Sequence, residues 1–338
     1  MSASSKELVG GSPSDDSREA LRVLVTGATG YVGSRLVPSL VAAGHNVIAA
    51  SRSRSGTRDY PWNDEVETRE LDIEDDEQVA RAVEGVDAVI YLVHSMESED
   101  FARKDRDAAT RMASACERAG VARIVYLSGL VPTGELSAHL RSRQEVERIF
   151  LAAAVPAVVL RASMVIGSGS TSYELLKRLS ERIPCVTPVP AWMRSKIQPV
   201  AVEDVVHLIG RALLGEPLNE HFDVGGDQVL TYVELLALFA DIAGLRRVQL
   251  VVPLVPRRLV GLGCALIARM PRTEVNTLID SLRHDMVCRD QLVRVDLLEP
   301  GYAYVPIAQA LRRALNTVGP AGTSHEGDIQ AAAPTDPA

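Results

Sequence analysis

A chain of 338 residues is long enough for two domains, or for one large domain carrying an extension. Hydrophobic residues make up 46% and charged residues 24%, ordinary for a globular protein, which excludes a wholly disordered, collagen-like or repeat-array chain. Asp and Glu outnumber Lys and Arg by 44 to 36, so there is no basic excess to neutralise a phosphate backbone, and nucleic acid is not expected as a partner.

Cys116, Cys185, Cys264 and Cys288 are too far apart in sequence for a CxxC pair, and the N-terminus lacks the apolar run of a signal peptide. Reduced thiols and a cytoplasmic protein are expected. Only four of the 36 basic residues are lysines (Lys6, Lys104, Lys177 and Lys196), which leaves few candidates for a catalytic lysine.

Residues 1–19 are rich in Ser, Gly and Asp without periodicity, and 318–338 look the same; both read as mobile tails. Between them, apolar β-branched runs at 21–27, 46–51, 87–93, 123–129 and 157–162 alternate with helix-length stretches. Near-continuous apolar strands of this kind predict an α/β fold, a doubly wound parallel sheet of Rossmann type covered on both faces. After residue 166 the alternation breaks down. The expected organisation is a nucleotide-binding domain over 20–165 with 198–228, and a smaller, mostly helical substrate domain over 166–197 with 229–317.

The sharpest signal is VLVTGATGYVGSRL, in which Gly27, Gly30 and Gly33 follow a predicted strand and open a predicted helix. Glycine permits the tight turn, the close approach of backbone to a pyrophosphate, and the packing of helix on strand. With Thr29, Tyr31 and Val32, these glycines would place free N–H groups of a helix N-terminus against the phosphates of a dinucleotide. At the end of the second strand, where an acid would hold the ribose 2′-OH of NAD, the chain reads Ser51-Arg52-Ser53-Arg54. Guanidinium groups suit a 2′-phosphate, so Ser51, Arg52 and Arg54 favour NADP(H) over NAD(H), with Arg35 as a second positive group. Asp72 and Ile73 either border the adenine or, for Asp72, cap a helix beginning near Glu74.

TGATGYVG resembles the short-chain dehydrogenase/reductase superfamily. IQPVAVEDVV at 197–206, VVLRASMVIG at 158–167 and the stretch at 221–244 resemble its extended members, and the resemblance covers roughly residues 20–315. YLVHSM at 91–96, HLRSRQEVE at 139–147 and GSGSTSYE at 167–174 are similar to a bacterial NAD(P)-binding, NmrA-like group related to the accessory dehydrogenase-like subunit of respiratory complex I. The resemblance implies that the three glycines hold the pyrophosphate and that Asp72 and Ile73 border the adenine. It further implies that Leu92, Val93 and His94 lie along the cofactor and that Ser128 is the catalytic serine.

Where that family has Tyr and, four residues later, Lys, this chain has His139 and Arg143. The i, i+4 spacing keeps both on one helical face. Arg143 can hold the nicotinamide ribose but cannot release a proton. His139 is open to three readings: an imidazolium acid, a hydrogen-bonding group, or an exposed helix residue. Tyr173 is either an alternative proton donor or a pocket wall, and Arg161 faces either substrate or a carboxylate such as Glu203 or Asp204.

No HExxH, Cys/His cluster or DxDxDG loop is present, so no metal site is expected, and the GxSxG elbow of a serine hydrolase is missing. The apolar stretch 251–271 is broken by prolines and an Arg pair, and its uninterrupted part, 259–268, is about half of the ~20 residues a membrane span requires. It reads as a buried helix or pocket wall, with a peripheral membrane or protein-complex contact as the alternative. MPRTEVNTLIDSLRHDM at 270–286 predicts a helix with Leu278 and Leu282 on one face. Three functions remain open: an NADP(H)-dependent oxidoreductase acting on a small carbonyl, enone or quinone; a non-catalytic NADP(H) sensor or scaffold; and a nucleotide-sugar epimerase or dehydratase.

Overall fold

The computed structural model describes residues 20–94, 100–183, 185–252, 256–315 and 328–336. Residues 1–19 lie outside these, as do 253–255 of the apolar stretch and 316–327 with 337 and 338.

The alternating half runs β1 (Arg22–Thr26), α1 (Tyr31–Ala42), β2 (Asn46–Ser51), β3 (Glu67–Glu70), α2 (Asp76–Ala82), β4 (Ala88–Tyr91), α3 (Phe101–Ala119), β5 (Arg123–Gly129), α4 (Ala138–Leu151) and β6 (Ala157–Ala162). It continues through β7 (Val165–Ile166), α5 (Thr171–Arg182), β8 (Val186–Pro190), β9 (Lys196–Ile197), β10 (Val200–Ala201), α6 (Val202–Ala212) and β11 (Glu220–Val224). The last elements are β12 (Leu230–Thr231), α7 (Tyr232–Ile242), β13 (Val248–Val252), α8 (Arg257–Ala268), α9 (Arg272–Ser281), α10 (Leu292–Asp296) and α11 (Ile307–Leu315).

Seven strands form one sheet in the order β11-β6-β5-β4-β1-β2-β3, every pairing parallel. The strands are buried on both faces because helices cover both. Leu36, Val37 and Leu40 of α1 and Val205 and Ile209 of α6 close one side, while Val79, Met112, Val146 and Phe150 from α2, α3 and α4 close the other. Strand order reverses at β1, which pairs with β2 on one side and β4 on the other, so a crevice opens at the carboxyl ends of β1 and β4. Thr26 pins that edge: its Oγ1 accepts from Leu92 N (3.1 Å) and donates to Ile90 O (3.2 Å).

The remaining elements form a satellite of helices and two-stranded pairs beyond the carboxyl edge of the β5–β6 end, with its own core of Tyr173, Leu235, Phe239 and Leu311. Helix α8 packs on α5 and α9 through Ala265 and Ala268 and turns Leu259, Leu262 and Leu266 to solvent. Among the described residues no helix is long and apolar enough to cross a membrane.

Three details differ from the sequence expectation. Strand β3 reads ETRE and carries no apolar pattern; it is an edge strand held only by β2, where charge protects against further pairing. Helix α2 begins at Asp76 rather than near Glu74, and Asp75, not Asp72, caps it by accepting from Glu77 N (2.9 Å) and Gln78 N (3.0 Å). Residues 328–336, expected within a mobile tail, are packed: Gln330 is fully buried and its carbonyl accepts from Ser168 N (3.1 Å).

Candidate cofactor and substrate site

The glycine turn is built as the phosphate-binding reading requires. Gly27 has φ +69°, a conformation that disfavours other residues, and a Cβ on Gly33 would stand 2.2 Å from Gly27 O and 2.8 Å from Ala28 Cα. Helix α1 therefore starts directly over the turn. Gly30 caps it without any side chain, which leaves the first-turn N–H groups around Tyr31 and Val32 unsatisfied by a capping side chain. Thr29 O accepts from Tyr60 Oη (2.6 Å), which fixes the turn from outside.

The loop after β2 is shaped by its own serines. Ser51 is buried and donates to Ser53 O (2.6 Å), while Ser53 Oγ accepts from Ser55 N (3.2 Å) to start a single 3-10 turn at Arg54. Arg52 stands exposed beside them without an ion-pair partner among the described residues; the side chain of Arg54 lies outside the described part. Asp72 is exposed and accepts from Glu74 N (2.9 Å), a local turn, while Ile73 is half-buried against the α2–α3 side of the sheet.

Arg35 is not available to a 2′-phosphate. Its guanidinium makes a two-pronged pair with Asp336 (2.7 and 2.8 Å) and donates to Ser168 O (2.7 Å), Ile329 O (2.9 Å) and Tyr31 O (3.1 Å), so its charge is neutralised within the protein. Its Cζ also stands 4.2 Å above the Tyr31 ring.

Across the crevice, Leu92 lies against the turn: a Cβ on Gly27 would be 3.5 Å from its backbone. Val93 is half-buried and His94 reaches solvent at the crevice wall. The Arg143 charge is the leading cause that holds the His94 imidazole well below its ordinary pKa. Ser128, near the end of β5, has a buried Oγ with no hydrogen-bond partner among the described residues. His139 sits in the first turn of α4, which Ser137 caps by accepting from Leu140 N (3.3 Å). Arg143, one turn on, faces Tyr126 Oη at 3.5 Å.

Burial first, and the Arg143 charge second, push the His139 pKa down to about 3. That shift favours an uncharged imidazole at neutral pH and weighs against the imidazolium acid, because the site already carries the Arg143 cation in a partly dry setting. Neutral His139 can still donate one N–H. Tyr173 does not supply the missing acid either, because it is fully buried edge-on to Phe239 in the satellite core, and burial raises its pKa above the ordinary tyrosine value. Arg161 does not face substrate. It is buried between Glu147, to which its Nε donates (2.9 Å), and Asp223 (3.6 Å), rather than Glu203 or Asp204. Glu203 pairs with Arg313 at 2.6 Å, and Asp204 accepts from Tyr302 Oη at 2.9 Å.

An apolar cavity of about 250 Å³ opens from the carboxyl ends of β5 and β6 into the satellite, with Gly129, His139 and Ser163 at the sheet end. Its far walls include Leu175 of α5, Leu235 of α7, and Leu278 and Leu282 of the α9 segment. Among the described residues no group of His, Cys, Asp and Glu could hold a metal ion.

A family of NAD(P)H-binding domains matches residues 27–177, the stretch from the first glycine of the turn to α5. Over that stretch the chain is similar to NAD(P)H-binding domains. Over 231 residues the chain is 26% identical to the mitochondrial NADH dehydrogenase (ubiquinone) 1 alpha subcomplex subunit 9 of Arabidopsis thaliana, a match spanning 64% of the chain and 56% of the relative. Over 187 residues it is 31% identical to the ceramide reductase of Caulobacter vibrioides, spanning 54% and 57%. The matched stretches thus span little more than half the length of these curated relatives. The triphenylmethane reductase of Citrobacter sp., solved with NADP(H), shares the fold at TM-score 0.70 and 18% identity, covering 87% of this chain and 100% of that one.

The residues present fit a dinucleotide: a cradle that a Cβ would fill at Gly33, a helix start free of side-chain caps, and the unpartnered buried Ser128 Oγ at the opposite end of the crevice. Sequence reading missed three features of the site. Tyr232, first residue of α7, lines the cavity, and its only local signal is the Thr231–Glu234 capping box beside it. The carboxylates Glu147 and Asp223 meet Arg161 only through the fold, and Asp336 reaches Arg35 from a segment without periodicity.

Proposed function

We propose that the protein is an NADP(H)-dependent reductase of a small carbonyl compound, an enone or quinone included. The observation that carries this reading is the junction at Gly129 and His139, where the apolar cavity meets the carboxyl edge of the sheet beside Ser128 and Arg143. The names of the relatives, a ceramide reductase and a triphenylmethane reductase, support the same reaction class. Arg52, exposed and uncommitted at the end of β2, supports NADP(H) over NAD(H), with no carboxylate in Ser51-Arg52-Ser53-Arg54 to receive a ribose 2′-OH.

NADPH, when bound, supplies a hydride for the carbonyl carbon. Ser128 Oγ–H and the N–H of neutral His139 stabilise the negative charge that grows on the carbonyl oxygen, and the proton that completes the alcohol comes from water entering by the open His94 wall. Arg143 holds the nicotinamide ribose and keeps its own charge throughout. Mixing the NADPH-loaded protein with a panel of ketones, enones and quinones tests this by the loss of nicotinamide absorbance. Turnover that falls about 100-fold in Ser128→Ala, the effect of one lost donor to a developing oxyanion, is the expected result. Tight NADPH binding with no oxidation by any member of the panel would overturn it.

That second outcome belongs to the alternative reading, a non-catalytic NADP(H) sensor or scaffold. One observation favours it: His139 and Arg143 replace Tyr and Lys, and neither is a proton donor at neutral pH. A nucleotide-sugar epimerase or dehydratase, which needs the Tyr base, ranks last.

A further inference from the structure

We propose that the cavity between α4, α5, α7 and α9 binds the hydrocarbon chain of an amphiphilic carbonyl compound, with the carbonyl at the His139 end and the chain directed toward Leu278; this rests on the reductase reading above. The walls include Leu140, Leu176, Leu235, Leu278, Leu282 and Met164, and among the described residues neither Lys nor Arg lines them. Three of the hydroxyls that reach the walls already donate to backbone: Ser163 to Met286 O (3.2 Å), Thr277 to Thr273 O (2.9 Å) and Ser281 to Thr277 O (3.1 Å). Their hydrogen atoms are turned away from a ligand. Among the described residues Glu274 is the carboxylate at the wall. A nucleoside diphosphate would meet, among the described lining residues, an acid and no cation to neutralise its phosphates.

Donors and the Arg143 charge lie at the sheet edge, and the lining beyond is mostly carbon, with Glu274, Thr277 and Ser281 as polar groups on the α9 segment. About 250 Å³ is just below the ~300–1,000 Å³ of ordinary ligand pockets, and Met164, Met193 and Met286 give the walls side chains that re-pack as chains lengthen. A head-and-tail molecule fits this gradient; a uniformly polar one does not.

The test uses the full chain loaded with NADPH and a neutral fluorescent apolar probe, N-phenyl-1-naphthylamine, displaced by a homologous series of straight-chain 2-alkanones and separately by UDP-glucose. Apparent affinity should rise about three- to fourfold per added methylene, the ~0.8 kcal/mol of a buried CH₂, until the cavity is full. Leu278→Trp should shorten the chain length at which the rise stops, and Leu278→Ala should lengthen it, so one variant serves if the other fails to fold. UDP-glucose should displace nothing. Affinity independent of chain length, or displacement by UDP-glucose, would overturn the assignment, even if short ketones are reduced. Chain-dependent binding without NADPH oxidation leaves the cavity assignment standing and removes the reductase reading instead.

Discussion

Arg35 and Asp336, 301 positions apart in sequence, form a two-pronged ion pair at 2.7 and 2.8 Å, with side chains 5% and 10% exposed. The pair ties the first turns of α1 to residues 328–336 and, through Ser168 O, to the loop before α5. Gly169 belongs to the same contact, because a Cβ there would stand 2.4 Å from the Asp336 carboxyl carbon.

Arg35→Ala leaves the Asp336 carboxylate without its cation and the carbonyls of Tyr31, Ser168, Ile329 and Ala331 without this donor, so urea unfolding should show a loss of about 3–5 kcal/mol. Asp336→Ala added to it should cost much less than a second, independent loss, because the two residues act on each other. Neither change should alter the preference for NADPH over NADH, since the Arg35 guanidinium is already taken up by Asp336 and backbone carbonyls. Additive losses would contradict the pairing.

Gly33→Ala puts a methyl into the Gly27–Ala28 backbone, which cannot swing aside as a side chain would. Stability should fall by about 1–3 kcal/mol, and NADPH affinity should fall at least about tenfold, measured by calorimetric titration. Unchanged NADPH affinity would remove the glycine turn from the cofactor site.

His139 should stay neutral through the physiological range. Imidazole NMR shifts followed from pH 8 to pH 5 should show no transition for this residue, although an ordinary histidine titrates near 6.5. Because the folded-state pKa lies below the unfolded one, the unfolded chain binds the extra proton. The stability His139 supports is therefore complete above about 6.5 and is lost as pH falls toward 3. His139→Phe should flatten that acid limb, and a titration near 6.5 in the wild type would restore the imidazolium acid.

Glu147 and Arg161 join α4 to β6 in the interior, with Asp223 on the other flank of the guanidinium. Glu147→Ala should cost about 3–5 kcal/mol in denaturant unfolding, because Arg161 stays charged and buried with Asp223 as its remaining acid. A loss under 1 kcal/mol would mean that solvent reaches Arg161.

The sheet was legible because its strands are buried on both faces and read as apolar runs, and the turn because Gly27 and Gly33 answer to local backbone geometry. Strand β3 escaped notice because an edge strand needs no apolar face, so Glu67–Glu70 look like a loop. Arg35 was misassigned because its position in sequence places it near the turn, and direction is decided by a carboxylate 301 residues away. Arg161 is the same case with different acids. His139 was visible as a substitution, but its protonation state depends on burial and on Arg143, which spacing alone does not convey.

The most direct measurement is calorimetric titration of NADPH, NADP⁺, NADH and NAD⁺ into the wild type and Arg52→Ala. A preference for the phosphorylated pair of about tenfold or more, lost in Arg52→Ala while NADH affinity stays the same, is the predicted result. Equal affinity for all four, or a preference that survives Arg52→Ala, would contradict the NADP(H) site at the end of β2.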